Sequence, residues 1–229
     1  MKQETQDKLK QIKQRFRLMM NGMASQSMRE KGLGYSINWG ISLPALKTLA
    51  EEYGKDYDLA IELWKENIRE CKILATLIMP PADMKADLAC LWVSQIPNQE
   101  VAAMVAFNLF QYIDSAKDLA FKWLASASEL EQMCGYNILS RLFMRGEVLD
   151  SREINELFDQ AKTALEGGSV SLQHTVVNML SHFCAISDEY NKITKSAFKS
   201  YDLDIFLMFC TANTEFCCIF VGQSGVWIK

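Results

Sequence analysis

Apolar residues recur along this chain at three- and four-residue intervals, and no convincing alternating strand pattern precedes residue 216. Residues 3–24 predict a first helix with Leu9, Ile12, Phe16 and Met19/Met20 on one side. The stretch GLGYSINWGIS at 32–42 is a Gly-punctuated connector. Ser42 then suits a helix cap, with Pro44 in the first turn and Gly54 as the stop.

From there a phrase repeats. DLAIELW at 58–64, DLACLW at 87–92 and DLAFKW at 118–123 start 29 and 31 residues apart. A second apolar-faced helix follows each copy. KENIRECKILATLIM is stopped by Pro80-Pro81, NQEVAAMVAFNLFQYI follows the second copy, and ELEQMCGYNILSRLFM ends at Gly146. Ser128 with Glu131, and Asp150 with Glu153, have capping-box spacing. Two more helices near 151–166 and 170–186 continue the rhythm without the phrase.

A helix pair of this kind cannot bury its apolar face alone, and stacking neighbouring pairs does so. The expected fold is therefore all-α, a HEAT-like α-solenoid of stacked antiparallel helix pairs forming one domain over 1–202. The phrase itself reads as packing. Trp64, Trp92 and Trp123 share a helix side with the preceding Leu, so they are expected to be structural aromatics. Each Asp lies near a helix start, where it suits the dipole. The tail at 203–229 breaks the pattern and receives no assignment.

Composition is globular, with 49% hydrophobic and 23% charged residues. The formal net charge is −4, unevenly spread. Residues 1–35 hold eight Lys/Arg against Glu4, Asp7 and Glu30, a local +5 that leaves −9 for the remainder. Such a basic end steers toward phosphate or is a solvated helix face, and charge alone favours the solvated face.

Seven Cys without a CxxC pair, and an opening MKQETQDKLKQIKQRF that is charged throughout, point to a reducing cytoplasm. The runs IFLMFC and FCCIFV are too short to span a membrane. His174 and His182 lie two helical turns apart with no HExxH or carboxylate box, so neither a metal nor a cofactor is expected. No GxGxxG, Walker or GxSxG pattern occurs, and nothing selects one Cys as the nucleophile for either His. What a solenoid does offer is a concave surface built from its second helices. Here those helices carry Arg69, Glu70 and Lys72, then Asn98 and Glu100, then Gln132, Asn137, Arg141 and Arg145.

Across GYSINWGISLPALKTLAEEY and DLAIELWKENIRECKILATLIM the chain resembles the DNA alkylation repair family of AlkD-like HEAT-repeat proteins. The likeness is good over about residues 16–80 and weaker to about 200. It implies a basic groove that grips duplex DNA. In active relatives, tryptophans contact the damaged nucleotide and an Asp stabilises positive charge on the sugar as an alkylpurine leaves. That Asp belongs to a segment like nWDl.D, after a helix ending W...I. In this chain Trp92, Ile96 and Asn98 match, but Gln99 replaces the aromatic, Glu100 falls at the first acid and Ala103 at the catalytic Asp. Around Gln132 and Met133 the family's Arg is missing, and no Trp occurs between Trp123 and Trp227.

Three functions are compatible with this pattern. The leading expectation is a DNA-binding protein related to alkylation repair, without standard glycosylase catalysis. Its partner would be double-stranded DNA, intact or alkylated, held by Arg15, Arg17, Arg29, Arg69, Arg141 and Arg145. A second is a protein-interaction scaffold that has lost DNA. A third is an active alkylpurine glycosylase in which Glu100, one helical turn from Ala103, supplies the missing anion.

Overall fold

Residues 3–201 are described by a computed structural model, and the expected tail at 203–229 lies outside them. The first helix stops earlier than its apolar pattern predicts. Helix α1 spans Gln3–Leu18 and α2 spans Gly22–Glu30. Asn21 makes the break: its side chain accepts from Ala24 N at 3.1 Å, and its own N–H donates to Trp39 O at 2.7 Å. A cap and a tertiary bond satisfy groups that a continuous helix would have used internally. Ile12 and Phe16 are buried as expected, whereas Met20 is exposed.

The connector then folds against α2. Ser25 Oγ donates to Asn38 O at 2.8 Å, and Gly40 adopts φ +71° beside Asn21 O. A Cβ at Gly40 would collide with that carbonyl and stand 2.7 Å from Ser25 N, both backbone atoms that cannot rotate away. Gly40→Ala is therefore expected to cost about 2–4 kcal/mol, from left-handed strain plus overpacking. Urea titration monitored by circular dichroism checks this, and an unchanged midpoint would contradict the close approach.

The remaining helices of the first unit are α3 (Leu43–Tyr53), α4 (Tyr57–Lys65), α5 (Arg69–Ile78), α6 (Ala86–Ser94) and α7 (Gln99–Asn108). Ser42, Asp56 and Asn98 cap α3, α4 and α7 through their side chains. Helices α3, α5 and α7 lie in a row with α5 in the middle, and α4 packs on α5. The predicted helix from Lys65 begins only at Arg69, because Arg69 N donates to Ile37 O in an isolated parallel bridge between Ile37 and Ile68. Among the described residues no strand forms around that bridge.

The repeated phrase packs copy against copy. Trp64 and Trp92 are buried and stack in parallel, with centroids 4.1 Å apart. Trp64 Nε1 donates to Gln95 Oε1 at 2.9 Å, which satisfies the one polar atom of that ring.

Contacts group the chain into two compact units that meet at Ala116 and Lys117. The second unit holds α8 (Ala116–Leu124), α9 (Glu129–Met144), α10 (Ser151–Gly167), α11 (Val170–Cys184) and α12 (Asp188–Ala197). Trp123 is buried here. The Asp150–Glu153 capping box forms, but Ser128 makes no side-chain cap; Ser126 Oγ instead donates to Glu131 at 2.7 Å. Gly135 brings α9 against α8, since a Cβ there would stand 2.8 Å from Ala120 O. A chain of aromatic contacts through Phe143, Phe183, Phe158 and Phe198 fills the interior of this unit.

Candidate nucleic-acid interface

The middle helix of the first unit's row does not present its polar residues to solvent. Nine of the ten residues of α5 are buried, including Arg69, Glu70 and Lys72. These were expected on an open concave face. The reason lies in the packing: α5 is flanked by α3 and α7 and backed by α4. Lys47 of α3 also reaches within 5.5 Å of the Phe107 ring of α7.

Arg69 and Glu100 form the centre of a closed network. Arg69 is 2% exposed and Glu100 3%. Arg69 Nε donates to Glu100 Oε2 at 2.9 Å, and its Nη2 donates to Oε1 at 2.6 Å. Its Nη1 donates to Ile41 O at 2.9 Å and to Glu70 Oε1 at 3.2 Å. Tyr35 Oη donates to Glu100 Oε2. Glu70 in turn accepts the N–H groups of Trp39 and Ile41 at 3.2 and 3.3 Å. The connector, the start of α5 and the first turn of α7 are thereby tied by one set of charge-assisted bonds.

The electrostatics agree with that geometry. Burial opposes the Arg69 charge, but the bonds and charge of Glu100, helped by Glu70, outweigh it and raise its pKa. Burial, then the adjacent Glu100 charge, lift the Tyr35 phenol well above its ordinary value, so it stays a donor. Lys72 is different. It stands 4.3 Å over the Trp64 ring and donates to Trp64 O at 2.6 Å, and burial pulls its ammonium down to about 8.

The expected phosphate ligands divide into two groups. Arg69 faces Glu100 in the interior, and Glu100 spends both carboxylate oxygens on Arg69 and Tyr35. Arg17, Arg29 and Arg145 are exposed, whereas Arg15 and Arg141 are half-buried. Arg15 makes a two-pronged pair with Glu52, one prong at 3.0 Å, on a surface where such pairs contribute little. Arg29 bonds its own helix at Ser25, and Arg141 Nη1 lies 3.3 Å from Met144 Sδ. Ala103, one turn beyond Glu100, is half-buried on α7, with Gln99 exposed on the same side.

Among the described residues no group of three or more His, Cys, Asp or Glu has metal-holding geometry. His182 Nδ1 bonds Ser140 Oγ at 2.7 Å, and burial with nearby Arg141 lowers its pKa. Burial raises the thiols of Cys71, Cys134 and Cys184, which disfavours the nucleophilic thiolate. Within the described residues no helix is long and apolar enough to cross a membrane.

The sequence profile of the DNA alkylation repair enzyme family matches residues 12–202. This chain belongs to that family. A solved structure from "a new family of proteins related to the HEAT-like repeat DNA glycosylases with affinity for branched DNA structures" superposes with a TM-score of 0.73. It shares 20% sequence identity, and the match covers 83% of this chain and 80% of that one. At such identity the likeness carries the fold, which is HEAT-like. No curated protein matches the chain.

By its resemblance to the nWDl.D pattern, the segment after Trp92 has Ala103 where that pattern would put an Asp. Where the resemblance implies an Arg, Gln132 donates to Ser126 O at 2.6 Å and Met133 is buried. Sequence reasoning missed Tyr35 and the acceptor role of Glu70. Their partners lie 65 and 31 residues away along the chain, beyond any local period.

Proposed function

We propose that this protein binds double-stranded DNA, in keeping with alkylation repair, without standard glycosylase catalysis. Arg15, Arg17 and Arg29 in the first unit and Arg141 and Arg145 in the second are the phosphate contacts; Arg69 is not among them. The observation that carries the catalytic half is the Glu100 carboxylate, closed off by Arg69 and Tyr35 at 3% exposure. An anion already paired with a guanidinium offers little field to a sugar cation, and Ala103 offers none. Family membership and the branched-DNA affinity described for the matched structure support the binding half.

Counterion release sets the test. Five phosphate contacts predict a log–log slope of binding against salt of about −4 to −5 for duplex DNA. Arg17→Ala and Arg29→Ala should each make the slope shallower by about 1, with little dependence on base sequence. Fluorescence anisotropy between low and moderate salt reads both. A slope that neither substitution changes would remove these residues from the interface.

The charge balance favours a second reading, a protein-interaction scaffold, because the chain outside residues 1–35 carries −9. Absence of binding to any duplex at low salt, together with a captured protein partner, is its signature.

A further inference from the structure

The corner between α1 and α2 is unusual in what it displays. Leu18 is 88% exposed, Met20 63% and Met23 85%, all within six residues. Isolated apolar side chains on a surface are ordinary, but three in one corner call for a partner. The backbone beneath them is pinned. Met19 N donates to Arg15 O and Phe16 O, Asn21 N donates to Trp39 O, and Asn21 Oδ1 caps α2. These side chains are held outward on a fixed turn.

The surrounding charge identifies the partner's chemistry. From Lys8 to Arg29 the chain carries Lys8, Lys10, Lys13, Arg15, Arg17 and Arg29 and no acidic residue, and of these Lys8, Lys13 and Arg15 are paired with Asp56, Glu66 and Glu52 of other segments. Arg17 adjoins Leu18 and is exposed, and Arg29 is exposed on α2. Apolar projections flanked by the exposed Arg17 and Arg29 match a polyanion that also offers apolar surface. Nucleic acid does so wherever base pairs are unstacked, and Leu and Met are among the side chains that wedge between base steps. The flexible, polarizable Met thioether conforms to a base face without a fixed shape.

We infer that the α1–α2 corner is an apolar wedge, in which Leu18, Met20 and Met23 stack on unpaired or unstacked bases at a DNA branch point while Arg17 and Arg29 hold the flanking phosphates. This rests on the DNA-binding reading and adds to it a site and a preferred DNA shape.

The test uses the full chain and a Leu18→Ser/Met20→Ser/Met23→Ser variant, whose changes fall on exposed atoms and leave the helical circular dichroism unaltered. Both proteins are titrated with a three-way junction carrying 2-aminopurine at the branch and with a linear duplex of equal length. The wild-type protein prefers the junction and brightens the 2-aminopurine as it unstacks. The variant loses about tenfold in junction affinity and the brightening, and keeps its affinity for linear duplex. If wild type and variant bind the junction equally, the wedge is overturned while DNA binding stands. If wild type binds neither DNA, both readings fall together. Co-sedimentation with phosphatidylserine-containing vesicles that is lost in the variant, with junction binding unchanged, would assign the corner to a membrane surface and likewise overturn the wedge.

Discussion

Removing the Arg69 guanidinium should destabilise the first unit by about 3–5 kcal/mol, because Glu100 is then left buried without its counter-charge. Arg69→Ala strips four donors from Glu100, Glu70 and Ile41 at once, and only Tyr35 remains on Glu100. Glu100→Gln should be destabilising in the same sense, since it strands the guanidinium. The double variant Arg69→Met/Glu100→Leu is the decisive companion: with both charges gone it should recover much of the loss. Equilibrium urea unfolding of the four proteins measures the coupling. A near-wild-type midpoint for Arg69→Ala would mean that the network contributes no stability and that Glu100 is available for another task.

The second large effect concerns the repeat phrase. Trp92→Ala should cost about 3–5 kcal/mol, the usual range for emptying a buried aromatic site. Beyond area, the stack with Trp64 contributes about 0.5–1.5 kcal/mol, which a Trp64/Trp92 double-mutant cycle isolates. Trp64→Ala loses more than area too, because Gln95 and the Lys72 ammonium lose a partner. Near-ultraviolet circular dichroism offers an independent reading: parallel indoles 4.1 Å apart couple their transitions, and either Ala variant should abolish that signal. Retention of the signal in Trp92→Ala would contradict the stack.

These two predictions also mark what the amino-acid pattern made legible. Helix pairs, the caps at Ser42 and Asp150 and the inward Trp side chains are local properties, set by period and by spacing over a few residues. The break at Asn21 was not legible. A side-chain cap is visible in sequence only as a polar residue before an apolar run, and here an apolar pattern continues through Met19 and Met20.

The site was legible in part. The resemblance around Trp92 assigns the segment where a family member would carry its acid, and in the proposed reading Ala103 is the argument against standard chemistry. Periodicity placed Arg69, Glu70 and Lys72 on an open face, because a second helix of a solenoid ordinarily shows one. It missed that α3 and α7 flank α5 closely enough to bury them. A buried Arg and Glu look like surface charges in sequence; only the Tyr35 connector and the facing helix reveal that they neutralise each other.

The most direct measurement of the account mixes the protein with N-methylpurine-containing duplex at low salt and follows the complex and the released base in the same sample. The account predicts a salt-sensitive complex and no base release above the spontaneous rate. Failure to bind would contradict the interface. Release of methylated purine that Glu100→Gln abolishes, in a variant still folded and still bound to DNA, would contradict the closed Arg69–Glu100 pair as the reason for lost chemistry.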